Sequence, residues 1–324
     1  MKLLVAVDGS ECCREAVRHL RLSGISMGAR VRFVNVMKVG ELAKNVSPLL
    51  NETISLLTNA SSVETIYLEG DPATRIVEYA AEWEADLIAV ATSDKRGLER
   101  LLLGSVARSI LTNSDCPVLV LRGEPASMNN VLVAADDSDS SAAAVEWLSN
   151  QSWAKHKNLA LLSVMHELPL SFESEFSSVE SASESLLRKQ REEIRLAHLT
   201  QCWSELCASH LQKTQIPFVV TDGLPSASIL ELSKSWPVDL IVLGSNCRTG
   251  MDKLIHGSVS EAVADKANCS VLVVRDVVAT KFEEIRIQIG VSTQIGTAGP
   301  PSQKGRVSTS LAVNDFAPHF PAMM

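Results

Sequence analysis

Two aspartates end two similar apolar segments of the sequence. Asp8 follows Leu3-Leu4-Val5-Ala6-Val7, and Asp136 follows Val131-Leu132-Val133-Ala134-Ala135. Each segment is typical of a buried strand, and an aspartate directly after such a strand lies at the carboxyl edge of a sheet, where ligands bind in open α/β folds. The alternative is that each aspartate only closes a turn or caps the helix that follows.

Two Gly-Ser-Val sequences form a second set of candidate binding residues, and each is predicted to open a helix. They are Gly104, Ser105 and Val106, and Gly257, Ser258 and Val259. A helix N-terminus offers free backbone amides and the positive end of the helix dipole, so phosphate is the ligand we expect there. The alternative is that Gly-Ser serves only capping and helix–strand packing.

These residues recur because the chain contains two copies of one unit. The offset is 128 residues from Asp8 to Asp136 and 153 residues from Gly104 to Gly257. The change in offset places 25 extra residues in the second copy, between Val164 and Gly223. The sequence there becomes helical around Leu187 to Leu211, so we expect a lengthened helix and its lead-in loop.

Apolar strand patterns alternate with amphipathic helical patterns in both copies. This alternation predicts an α/β fold with two tandem Rossmann-like, doubly wound domains, each with a five-stranded parallel sheet. The predicted domains are residues 1–124 and 128–276, and the Gly-, Ser-, Thr- and Pro-rich tail 277–324 is predicted to be disordered.

Composition excludes several classes of protein. Aromatic residues make up 4% of the chain and the net charge is −8, which disfavours binding to nucleic acid or to an anionic membrane. Apolar runs fall short of the roughly 20 residues that a membrane span needs. Seven cysteines without Cys-x-x-Cys spacing argue against a disulfide framework. We therefore expect a cytoplasmic protein.

Two other patterns suggest chemistry but have simpler explanations. Helical spacing spreads His198, Cys202, Cys207 and His210 over half of a helix circumference, which favours a packed face over a metal site. The sequence 24–28 spells the Gly-x-Ser-x-Gly nucleophile motif, but a helix precedes it and a strand follows, so we predict a turn.

The combined order of motifs resembles the universal stress protein family, in tandem over about 270 residues. The resemblance depends on the strand–Asp turns, the Asp-Leu-Ile strands at 86–88 and 239–241, the Gly-Ser helices and the Pro-Val-Leu-Val strand at 117–120. It implies five-stranded parallel sheets, packing of the two domains as a pseudo-dimer through their last strands, and the option of a homodimer. In one branch of the family it also implies ATP binding.

The residues that match this family's nucleotide site differ between the two domains. In the second domain they are Asp136, Val164, Gly244, Gly257, Ser258 and Val259. Cys247 stands where that domain should have its second loop glycine. The first domain keeps Asp8, Val36, Gly104, Ser105 and Val106. It has Ala91 and Asp94 in place of both loop glycines, and Asp94 would repel phosphates unless a divalent cation bridges them.

The resemblance leads to one main functional expectation and two alternatives. We expect a non-catalytic stress-response protein that binds ATP or another adenine nucleotide, mainly in the second domain, as a regulatory switch, with slow hydrolysis at most. The first alternative is a scaffold that binds no nucleotide and acts through protein contacts. The second is an enzyme of the wider adenine-nucleotide-binding α/β group, whose Ser-Gly-Gly-x-Asp-Ser loop is replaced here by Asp8-Gly9-Ser10.

Overall fold

The structure is a computed structural model that describes residues 1–8, 11–37, 54–91, 103–122, 127–165, 197, 199–208, 217–245 and 258–275. Several predicted features lie outside the described residues. They are Cys247, Gly257, the loops 92–97 and 246–250, His198, His210 and the tail 277–324.

The first repeat alternates strands and helices as expected. Its elements are β1 (Lys2–Val7), α1 (Glu11–Ser23), β2 (Arg30–Met37), β3 (Ser62–Glu69), α2 (Pro72–Glu82), β4 (Leu87–Ala91), α3 (Ser105–Asn113) and β5 (Val118–Leu121).

The second repeat follows the same plan. Its elements are β6 (Asn130–Ala134), α4 (Asp139–Ser149), a 3₁₀ helix (Ser152–His156), β7 (Asn158–Met165), β8 (Phe218–Asp222), α5 (Pro225–Ser235), β9 (Leu240–Ser245), α6 (Ser258–Lys266) and β10 (Ser270–Arg275). Residues 199–208 lie in the segment between Val164 and Gly223 that contains the 25 extra residues; they are helical and are called the insert helix below.

Local sequence explains how the equivalent helices α2 and α5 begin. Gly70 and Gly223 precede them with φ of 131° and 132°, a backbone conformation that favours glycine. A proline then opens each helix, where its missing N–H costs nothing. Asp71 also accepts a hydrogen bond from the backbone N–H of Thr74 at 3.0 Å, which caps α2.

All ten strands form one sheet in the order β3-β2-β1-β4-β5-β10-β9-β6-β7-β8. Pairing is parallel within each repeat, and the last strands β5 and β10 pair antiparallel where the repeats meet. The predicted α/β class, with five parallel strands per repeat, is confirmed. Packing through the last strands, which the resemblance implied, is the pairing observed.

Helices cover both faces of this sheet and separate two hydrophobic cores. Leu20 of α1 and Leu148 of α4 belong to one core, and Ile110 of α3 and Val263 of α6 belong to the other. Because α1 and α4 lie on the opposite face from the later helices, the chain reverses its winding between β1 and β4, and between β6 and β9. These are the switch points at which a doubly wound sheet binds ligands.

No helix within the described residues is long and apolar enough to cross a membrane.

Candidate functional site

The switch point of the second repeat brings three strand ends together. Ala134 of β6 pairs with Leu162 of β7 on one side and with Leu243 of β9 on the other. Two residues further along, Asp136 lies at the level of Val164, and the backbone N–H of Ala135 still donates to the carbonyl oxygen of Leu162 at 2.9 Å. The predicted aspartate and valine are therefore neighbours at the carboxyl edge of the sheet.

A cavity of about 350 Å³ opens at this edge, within the size range of small-molecule sites. We call it the β6–β9 cavity. Four predicted site residues line it, namely Asp136, Val164, Gly244 and Val259. Its apolar wall includes Leu162, Pro225, Ile229 and Leu243, and its hydroxyl groups come from Ser138, Ser140, Ser141, Ser245 and Ser260.

Neighbouring serines hold the carboxylate of Asp136. Its Oδ1 atom accepts hydrogen bonds from the backbone N–H of Ser138 at 3.0 Å, from Ser138 Oγ at 2.5 Å and from Ser141 Oγ at 2.6 Å. Ser141 Oγ also accepts from the backbone N–H of Asp136 at 3.0 Å. Three donors on one oxygen fix the orientation of the carboxylate before any ligand arrives.

The capping of α4 belongs to Ser138 and not to Asp136. Ser138 is the N-cap residue, and its side chain accepts from the backbone N–H of Ser141 at 3.2 Å. Of the two alternatives raised for Asp136, the structure thus supports a turn, closed by the Ser138 N–H, and excludes the N-cap position. The exposed carboxylate lies at the rim of the β6–β9 cavity.

Gly244 has a steric role in this arrangement. A Cβ atom added to it would lie 2.2 Å from the carbonyl oxygen of Ser140 and 2.7 Å from the backbone nitrogen of Ser141. Only a residue without a side chain lets the end of β9 approach the first turn of α4 this closely. Its identity therefore has a packing reason that does not depend on a ligand.

The start of α6 closes the cavity on the side of β9. Val259 and the buried Ser260 lie in its first turn, and Ser260 Oγ donates to Ser245 Oγ at 3.2 Å. Ser258 is the first residue of α6, and Gly257 precedes the described part of the helix. The predicted helix N-terminus thus faces the cavity.

The charges that line the cavity are negative. Asp136 and Asp137 stand at its rim, and none of the described lining residues is cationic. An anionic ligand would therefore need a counter-charge from a bound cation or from residues outside the described part of the chain.

Comparison with known proteins decides the family. The universal stress protein family model matches residues 1–122 and 128–275, which is most of the chain and both repeats. The chain belongs to the universal stress protein family. A universal stress protein of Methanocaldococcus jannaschii is 35% identical over 138 residues, covering 37% of this chain and 81% of the relative. One of Mycobacterium bovis is 28% identical over 226 residues, covering 66% of this chain and 69% of the relative.

Solved structures agree on the universal stress protein fold in tandem form. A functionally unknown protein from Pseudomonas aeruginosa has a TM-score of 0.63 at 17% identity, with 89% of this chain and 97% of that chain covered. A universal stress protein from Archaeoglobus fulgidus has a TM-score of 0.52 at 17% identity, with 85% and 96% covered. At this identity the likeness concerns the fold alone.

The first universal stress protein repeat places its predicted residues at equivalent positions. Asp8 follows β1, and because Val7 pairs with Asn35, it lies beside Val36 of β2. Gly104 is the N-cap of α3, with no side-chain capping bond, and is followed by Ser105 and by Val106, which is 37% exposed. Ala91 occupies the position of Gly244 and packs against the core.

Of the four residues considered for a metal site, Cys202 and Cys207 lie in the described part of the chain. Cys202 is 2% exposed in the insert helix and packs in the core with Leu199 and Leu206, as the packed-face interpretation predicts. Burial raises the pKa of the Cys202 thiol to about 11. The described residues contain no group of side chains that could hold a metal ion.

The Gly-x-Ser-x-Gly sequence forms the predicted turn between α1 and β2. Gly24 and Gly28 have φ of 80° and 68°. Ser26 is fully buried, and its single hydroxyl hydrogen is shared between two acceptors, the carbonyl oxygen of Leu20 at 2.9 Å from Oγ and Asn59 Oδ1 at 2.8 Å. A buried hydroxyl with two acceptors is not an exposed nucleophile.

The serine cluster of the cavity was not predicted from the sequence. Ser138, Ser140 and Ser141 follow Asp136 within five residues, and Asp-x-Ser is a spacing that closes side-chain turns. That local signal was available. Ser245 and Ser260 carry no such signal, because only the packing of α6 on β9 brings them together.

Proposed function

We propose that the second repeat of this universal stress protein binds an adenine nucleotide, with ATP as the main candidate, in the β6–β9 cavity. The observation that carries the proposal is the meeting of Asp136, Val164, Gly244 and the first turn of α6 in one cavity at the switch point of the sheet. The sequence resemblance names these positions as nucleotide-binding, and their convergence supports it.

The lining of the cavity fits the parts of a nucleotide. The apolar wall formed by Leu162, Ile229 and Leu243 suits a flat base. Asp136, already oriented by its serines, accepts hydrogen bonds from ribose hydroxyls. The backbone at Gly244 and the N-terminus of α6 take the phosphates. Because Asp136 and Asp137 are acidic, a divalent cation accompanies the phosphates.

The bound nucleotide acts as a regulatory switch in this proposal, and the protein is non-catalytic apart from slow hydrolysis at most. Occupation of the cavity stabilises one arrangement of the surrounding loops, which changes the affinity for a protein partner. The homodimer and the cytoplasmic location remain predictions that accompany this proposal.

A ligand test distinguishes the nucleotide proposal from the scaffold alternative. The acidic rim, without a cationic lining residue among those described, is the observation that favours a ligand-free scaffold. Protein purified without nucleotide-stripping steps is precipitated with acid, and the released small molecules are identified by mass spectrometry. ATP, AMP and adenosine are then titrated calorimetrically with and without Mg²⁺.

The variant Asp136→Asn provides the residue-level test, with Asp8→Asn as its matched control. Asparagine keeps one oxygen for the serine donors but removes the charge and one acceptor, so the affinity for nucleotide should fall about tenfold or more. Asp8→Asn makes the same change in the first repeat and should leave the affinity of the second repeat unaltered. Absence of any bound nucleotide, together with no titratable affinity, would establish the scaffold instead.

A further inference from the structure

The two repeats meet along a seam formed by β5, β10, α3 and α6. Val120 pairs with Val271 and Val118 with Val273 across the antiparallel strand pair. Because the repeats share one fold, this seam resembles the contact of a symmetric dimer. Equivalent positions therefore face one another only where the pseudo-two-fold axis crosses the seam, as Leu119 and Leu272 do.

One pair of equivalent residues at the seam has the same chemistry on both sides. Arg122 and Arg275 are equivalent at the offset of 153. Arg122 Nη1 donates to the carbonyl oxygens of Asp265 at 3.0 Å and Ala267 at 2.9 Å, at the end of α6. Arg275 donates to the carbonyl oxygen of Leu111, near the end of α3. Each arginine satisfies C-terminal carbonyls of the other repeat's helix, so these contacts would also form between two identical repeats.

A second pair of equivalent residues has opposite charges. Arg108 of α3 and Glu261 of α6 are equivalent at the same offset of 153, and Arg108 Nη1 donates to Glu261 Oε1 at 2.6 Å. Arg108 Nη2 donates to Asp265 Oδ1 at 2.6 Å. Asp265 Oδ1 also accepts from the backbone N–H of Leu103 at 3.1 Å. One position of the repeat is therefore cationic in the first copy and anionic in the second.

We propose that Arg108 and Glu261 determine which repeat faces can pair across the seam. The first repeat's face fits a face that presents carboxylates at the positions of Glu261 and Asp265, and it rejects a second copy of itself. Pairing two first repeats would oppose Arg108 to its own copy. Pairing two second repeats would oppose Glu261 to both Glu261 and Asp265 of the other copy. The symmetric Arg122 and Arg275 contacts hold the seam, and the asymmetric ion pairs select the partner.

The solvent exposure of the paired side chains limits how strongly these ion pairs select a partner face. The side chain of Arg108 is 40% exposed and that of Glu261 is 37% exposed, so each ion pair alone contributes little. One guanidinium that donates to two carboxylates forms a small network, and like charges at the same sites add repulsion of similar size. Selection therefore comes from the difference between attraction and repulsion. Nothing in this pairing depends on a bound nucleotide.

Charge reversal in the full chain recreates each disfavoured pairing. Arg108→Glu opposes carboxylates across the seam, as two second repeats would. Glu261→Arg opposes guanidinium groups, as two first repeats would.

The measurement is hydrogen–deuterium exchange of backbone amides in β5 and β10, with amides of β1 and β4 as the internal reference. Each single variant should raise seam exchange about tenfold relative to the reference strands, because opening of the seam becomes easier. The double variant Arg108→Glu with Glu261→Arg should return to within about threefold of the wild type.

The neutral variant Arg108→Gln separates repulsion from the loss of attraction. It should raise seam exchange less than Arg108→Glu does, and 1 M salt should reduce the difference between the two variants. The proposal is overturned if the single reversals leave seam exchange at the wild-type rate, or if the double variant exchanges as fast as the worse single variant. Equal effects of Arg108→Gln and Arg108→Glu would also overturn it, since the like-charge repulsion would then be absent.

Discussion

Gly244 lies directly against the backbone of Ser140, so that a Cβ on Gly244 would stand 2.2 Å from the Ser140 carbonyl oxygen. This contact sets the position of the first turn of α4 against the end of β9. The first turn of α4 in turn carries the serines that hold Asp136. In the first repeat the equivalent position is Ala91, whose methyl group packs against the core.

The variant Gly244→Ala should destabilise the second repeat. The added methyl group overlaps backbone atoms, which cannot move aside as a flexible side chain can, so we expect a loss of about 2–3 kcal/mol in the free energy of unfolding. The midpoint of urea unfolding measures the loss. Gly104→Ala is the matched control, because a Cβ at Gly104 would have no atom within 4 Å and the φ there is −60°. Its cost should stay below about 1 kcal/mol, and a wild-type midpoint for Gly244→Ala would contradict the steric role.

Ser141→Ala should reduce stability more than a similar serine substitution at the other end of the same helix. The change removes a donor to the carboxylate of Asp136 and an acceptor for its backbone N–H, at a cost of about 1 kcal/mol. Ser149→Ala is the control, because the buried Ser149 hydroxyl has no hydrogen-bond partner among the described residues. Removing that hydroxyl should leave the unfolding midpoint unchanged or raise it slightly. Equal losses in both variants would show that the Asp136 contacts contribute nothing.

Cys202 should react slowly with iodoacetamide in the folded protein. Burial disfavours the thiolate and raises the pKa of the thiol to about 11, so at pH 8 the reactive thiolate is about 100-fold scarcer than for an ordinary cysteine. The rate should rise about tenfold per pH unit between pH 8 and pH 10, as the thiolate population grows. Peptide mass spectrometry of folded and urea-unfolded protein measures the rate. Equal rates in both states at pH 8 would contradict the burial of this residue.

Arg32→Lys should weaken the outer part of the first repeat. The Arg32 guanidinium lies 4.6 Å from the centre of the Trp83 ring, and it donates to Tyr79 Oη and Glu64 Oε2, both at 2.8 Å. Lysine keeps the charge but cannot stack on the ring and donate in two directions at once, so a loss of about 1 kcal/mol is expected. Arg30→Lys, at an exposed position of the same strand, is the control and should be neutral. Thermal unfolding of both variants provides the comparison.

The sequence was sufficient to predict the strands, the repeat and the sheet edge at which the β6–β9 cavity opens. Short apolar runs ending in Asp8 and Asp136 determine where strands end, and the switch-point rule then places each end at the carboxyl edge of the strands of its own repeat. Contacts between distant segments could not be predicted in this way. That Gly244 meets Ser140, and that Arg108 meets Glu261, depends on how helices pack on the finished sheet. The family resemblance assigns Gly244 to a phosphate loop, whereas its contact with the Ser140 backbone gives it a packing role as well.

The antiparallel pairing of β5 with β10 has a consequence for any signal that this protein carries. Strands of the two repeats run in opposite directions, so the edge with Asp8 and the edge with Asp136 lie on opposite rims of the sheet. Two ligands bound at these rims could never touch, and no single small molecule could bridge them. A change at one rim can affect the other only through the shared strands and the helices beside them, which makes the junction of the repeats the route for communication between the two halves.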